Sequence, residues 1–173
     1  MYIILAMISI FAVTMMIGRH WCMHRALPRS VSAMAYRLPM RRRWMWMLWM
    51  WLCTYTLTPA LFEAVPDRLE VIPHAFATCM LLITLMPLAF RDMTNGLRAL
   101  IVAAGVFSQA CVAVLCPWLL LLWPAAFMAF FMWDVGTGDI PRIFWGKGVL
   151  IAEVLCYLAL FIGSILKLTI YNG

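Results

Sequence analysis

Charge is scarce in this sequence. Only 12% of its 173 residues are Asp, Glu, Lys or Arg, and seven are acidic. A soluble domain carries about 25% charged residues, so a water-facing surface of ordinary polarity is excluded. Several motifs are missing as well. Without GxSxG, no serine sits on a nucleophile elbow. Without HExxH or a third ligand near His20 and His24, no zinc-hydrolase helix is encoded. Lys147 stands outside any GxxxxGK[ST] loop. Six cysteines occur but no CxxC pair, which points to small buried hydrophobes and away from a metal or redox framework. No internal repeat supports the inverted halves of many transporters. No basic stretch precedes the first apolar run, so that run reads as a helix and not a cleaved leader.

What is present is apolar. Hydrophobic residues make up 66% of the chain, more than a core of this size needs, and the economical solvent for them is lipid. The net charge of +6 does not imply nucleic acid, because the bases fall in short intervals between long apolar runs.

A spanning helix needs about 20 apolar residues. The expected fold is therefore all-α, a polytopic integral membrane bundle of six transmembrane helices at about 1–17, 44–62, 71–90, 97–116, 118–133 and 149–168. The fourth and fifth segments are parted only by Pro117. A single helix over 99–133 would be about 52 Å long at about 1.5 Å per residue, too long for a core of about 30 Å. The chain is expected to turn at Pro117.

Lysine and arginine counts set orientation. Intervals 19–43, 91–98 and 134–148 hold eleven of the thirteen bases, seven of them arginines within 19–43. These alternate loops read as cytoplasmic, which leaves both termini outside the cytoplasm. Compact loops suit a bacterial or phage-encoded inner membrane.

The segment 41–51, RRRWMWMLWMW, marks the mouth of the second span. Its tryptophans lose a period of two after Trp46, which excludes a strand. Trp44 and Trp46 fit an interfacial aromatic belt, whereas Trp51 lies deeper and is expected to pack on a neighbour. Upstream, Ser30 is a candidate N-cap for a short helix bearing Val31, Met34, Ala35 and Leu38 on one side. This loop, with Arg29, Arg37, Arg41, Arg42 and Arg43, is expected to meet anionic lipid headgroups.

Ionisable and polar groups within spans suggest sites. On the last helix Glu153, Tyr157, Ser164 and Lys167 form a polar stripe. Glu153 is either a site or the partner of Arg91, Arg98 or Arg142. His74 opens the third span at its outer end, about 20 Å from Glu153 in a core of about 30 Å, so it is expected to meet the outer acids Glu63, Asp67 or Glu70. Gln109 lies near mid-bilayer beside Ala104, Gly105 and Ser108, a small-residue face suited to close helix packing.

These features favour a non-enzymatic accessory or assembly component that works by helix packing and lipid contact, with a membrane-protein partner or a second copy of itself. The first alternative is a small transporter or channel using the stripe headed by Glu153. The second is a lipid-active enzyme using Asp134 and Asp139. No cofactor, metal or nucleic-acid partner is expected.

Overall fold

The computed structural model describes residues 1–24, 30–92, 94–122, 124 and 147–170, with only the backbone of 147–149. Among these residues the chain is helical throughout and contains no strand. Helix α1 spans Tyr2–His24, α2 Val31–Tyr36, α3 Arg43–Ala64, α4 Val71–Ala89, α5 Asn95–Leu115 and α6 Lys147–Ile170. Four helices are long and apolar enough to cross a membrane: α1, α4, α5, and α6 from Leu150 onward.

The third helix occupies the place of the expected second span, yet it falls outside that apolar set. Arg43, Glu63, four indoles, Tyr55 and three threonines dilute its apolar character. An indole or phenol has an apolar body and a polar tip. Neighbouring helices use several of these tips, as described below. The expected fifth span, 118–133, lies largely outside the described residues.

The five long helices form a ring. α1 packs on α3, α3 on α4, α4 on α5, α5 on α6 and α6 on α1, with α3 and α6 also in contact across it. The end of the bundle away from α2 holds the largest apolar cluster, around Leu57, Leu61, Phe76, Val112, Leu115 and Leu160. Turn chemistry fixes the corners. Thr94 caps α5 by accepting the Leu97 amide at 3.2 Å. Helix α5 stops at Leu115. Cys116, the residue before Pro117, is driven out of helical geometry (φ −157°, ψ 89°), and a 3-10 turn follows over Pro117–Leu121.

Two helices approach closely at Gly163. A Cβ placed there would lie 3.3 Å from Cβ of Leu115, so the seam between α5 and α6 depends on a missing side chain. Gly105, expected to serve that purpose, does not. A Cβ there meets no atom within 4 Å. Ala104 and Ser108 on the same face are buried, but the glycine between them borders empty space. Close approach requires a partner backbone opposite the small residue, and among the described residues none lies opposite Gly105.

Candidate functional site: a cavity at the Glu153 carboxylate

The loop before α3 folds inward. Ser30, extended at φ −159° and ψ 162°, caps α2 by accepting the Ala33 amide at 2.9 Å. Val31, Ser32, Met34 and Ala35 are buried. They pack with Met16, Trp46, Met50 and Leu150 from three long helices. The apolar side of this helix closes onto the bundle. Trp46 is buried in the same cluster at 5% exposure and so is not a belt residue, whereas Trp44 is exposed. Trp49 donates its indole N–H to the Ala12 carbonyl of α1 at 2.9 Å. Trp51 donates to Oγ1 of Thr84 on α4 at 2.7 Å. The tryptophan-rich stretch thus pegs α3 to both neighbours.

The adjacent arginines separate sharply. Arg37, Arg41 and Arg42 are exposed. Arg29 lies outside the described residues. Arg43, expected among the headgroup contacts, is 5% exposed. One guanidinium nitrogen donates to the carbonyls of Pro87 at 3.0 Å and Phe90 at 2.8 Å. The other donates to Arg91 at 2.9 Å. Its Nε reaches Leu38 at 3.4 Å. The final carbonyls of a helix lack intrahelical donors and carry partial negative charge, and Arg43 supplies both donor and charge to α4. The same guanidinium sits 4.9 Å over the Tyr36 ring. Burial pushes the Tyr36 phenol up from its ordinary value, and Arg43 partly opposes that shift.

Glu153 faces α2. The Val31 amide donates to its Oε2, and the Ser32 hydroxyl donates to its Oε1 at 3.3 Å. No arginine or lysine pairs with it among the described residues. The Ser32 backbone amide donates to it as well, so α2 fills three of the about four acceptor positions an ionised carboxylate offers. Beside it opens a cavity of about 320 Å³. Glu153, Ser32, Ser108 and Tyr157 are the polar points on a wall otherwise made of residues such as Phe76 and Ile101. Gly105 also lines it, which explains the empty space found there.

One turn beyond Glu153, Tyr157 bonds Oγ of Ser9, and it donates to the Cys53 carbonyl at 3.2 Å. Ser9 Oγ lies beside that same carbonyl, and its proton goes to Tyr157 when Tyr157 donates to the carbonyl. This polar knot ties α1, α3 and α6. The sequence stripe contained Tyr157 but not Ser9, a lone serine in an apolar run that gives no spacing signal. Ser164 is fully buried, and its hydroxyl finds no partner among the described residues. Gln109 donates to Ser108 at 3.3 Å. His74 stands apart. Its Nδ1 lies 2.7 Å from the Glu70 backbone carbonyl, not from an outer carboxylate, and its ring packs on Phe62. The structure therefore groups Glu153, Tyr157 and Ser108 around one cavity and leaves His74 outside it. Asp134 and Asp139 lie outside the described residues. No cluster of three metal-ligating side chains occurs among those described.

Fold and site together define a helical bundle with at least four helices able to cross a membrane and a carboxylate-bearing cavity within it. Comparison with protein families, with curated proteins and with solved structures finds no match.

Proposed function

We propose that this chain is a small transporter of the membrane. It crosses the bilayer six times with its basic loops cytoplasmic, and it takes a small amphipathic cation into the cavity at Glu153. The observation that carries this reading is the position of the carboxylate: it lines an apolar cavity, has unused acceptor capacity and lacks a cationic side-chain partner among the described residues. A carboxylate away from water is costly unless positive charge or donors meet it. The donors from α2 are neutral, so a ligand that brings a positive charge gains electrostatically. The aliphatic and aromatic walls favour an apolar body on that ligand. About 320 Å³ falls at the small end of ligand pockets, which run from about 300 to 1,000 Å³.

Sequence alone favours an accessory role on the strength of its Met-rich and Trp-rich faces and few buried charges, and it reads Ala104, Gly105 and Ser108 as a packing face. With Gly105 bordering the cavity, that face is better explained as making room for a ligand than as a docking seam. The exposed Arg37, Arg41 and Arg42 suit anionic headgroups and would hold the basic loop at the membrane surface.

Benzyltriethylammonium is a suitable probe, being a fixed cation with an apolar body. Purified protein in anionic nanodiscs is expected to bind it saturably, and proteoliposomes to take it up. Glu153→Gln keeps an acceptor for Val31 but removes the charge, and it should weaken binding by about tenfold or more, since a desolvated charge contact is worth about 1.4 kcal/mol or more. Equal affinity in the variant, or only unsaturable partitioning in the wild type, would rule the reading out.

A further inference from the structure

The geometry points to α2 as the gate of this cavity, latched by Glu153 and released when a cation takes the carboxylate; the inference rests on the cavity reading above. Six residues are too few for a helix to persist on its own, so contacts from elsewhere hold α2 in place. Its two ends are held differently. After its C-terminus, the Leu38 carbonyl accepts from Arg43, whose guanidinium also covers Tyr36. That end is fastened to the α3–α4 corner by a charge with no competitor. At the N-terminus, three donors of the first turn, the Val31 amide and the amide and hydroxyl of Ser32, go to Glu153, more than a hundred residues away in the chain.

Val31 and Ser32 also line the cavity, next to the carboxylate they bind. The residues that close the space and the group proposed to receive the ligand are thus in one hydrogen-bonded contact. Neutral donors hold a carboxylate less strongly than a cation does in a low-dielectric setting. A cation drawing the carboxylate towards the cavity therefore weakens the α2 bonds, and α2 pivots on its Arg43-held end. Between ligands the carboxylate keeps its donors and the cavity stays shut. Gate and ligand share one acceptor, so closure and occupancy exclude each other.

The test uses hydrogen exchange of the full chain in nanodiscs, read at the amides of residues 33–37. Val31→Pro deletes one donor without disfavouring the helix, because proline is favoured at the first helical position and Ser30 is already extended. Ser32→Ala deletes a second, leaving only the backbone amide of residue 32, and serves alone if the proline variant folds poorly. In the double variant those amides should exchange about tenfold faster or more, while α4 and α5 stay protected. Saturating benzyltriethylammonium should speed the same amides in wild type, and the double variant should bind the probe more tightly than wild type. Unchanged exchange in both variants overturns the latch. Probe that binds wild type while leaving α2 exchange unchanged or slower overturns the gate alone. If no form binds the probe while the variants loosen α2, the cavity reading fails and the latch is purely structural, which also ends the gate.

Discussion

Two charges, Arg43 buried and Glu153 half-buried, stand near one end of this bundle and are treated in opposite ways. Around Arg43 the guanidinium donates to four carbonyls and an aromatic ring covers it. Around Glu153 only neutral donors arrive among the described residues, all from α2, and the carboxylate borders a cavity. Burying a charge is tolerable when its bonding capacity is met. A charge whose capacity is filled by its own chain is architecture. One left partly unfilled beside a space has something to offer a ligand. The same contrast separates two glycines, Gly163 packed on Leu115 and Gly105 facing emptiness.

The largest effect should come from breaking the saturated side. Arg43→Ala strips the α4 end of its donors and frees the chain after α2. Charged hydrogen bonds contribute about 1.5–3 kcal/mol each and do not simply add, so a loss of about 3 kcal/mol is expected, read as a lower unfolding midpoint in detergent. Arg43→Lys should recover little, because an ammonium cannot span carbonyls that a planar fork reaches together. Glu153→Gln, by contrast, should shift the midpoint by less than about 1 kcal/mol, since an acceptor remains for Val31. Equal destabilisation by the two substitutions would erase the distinction between framework charge and site charge.

Next in size is the packed seam. In Gly163→Leu the new side chain meets Leu115 at its first carbon. Overpacking costs about 1–3 kcal/mol, so a loss near 2 kcal/mol is expected in the same unfolding measurement. A midpoint equal to wild type would mean that α5 and α6 separate easily and that the seam is not tight.

Much of the framework was legible along the chain, because lengths of apolar sequence, Pro117 and the Ser30 cap are local signals. Glu153 stood out for an equally local reason, a lone acid in an apolar helix. Its partners did not, since Val31 and Ser32 are brought to it only by tertiary folding. Arg41, Arg42 and Arg43 are chemically identical in sequence. Helix phase and the position of the α4 terminus decide which one turns inward, and neither is written near residue 43. Trp44 and Trp46 part company for the same reason. Small residues mislead in a related way. The pattern at 104–108 has the spacing of a packing face, yet whether a small residue gives contact or cavity depends on what lies opposite, which was Leu115 at Gly163 and nothing at Gly105.

The smallest effect on stability, and the sharpest on the site, is expected of Gly105→Leu. A side chain there grows into the cavity without meeting protein within 4 Å of its first carbon. Leucine is a better helix former than glycine by about 0.8–1 kcal/mol in soluble hosts, and new apolar contacts replace void. The unfolding midpoint should therefore hold or rise slightly, in contrast to Gly163→Leu. Binding of benzyltriethylammonium should nevertheless fall, because the added volume occupies space the probe needs while the Glu153 charge is untouched. A rise in stability with loss of binding identifies the space itself as functional. If Gly105→Leu instead lowers the midpoint as Gly163→Leu does, the cavity is closed in the membrane, and Glu153 belongs with Arg43 as part of the framework.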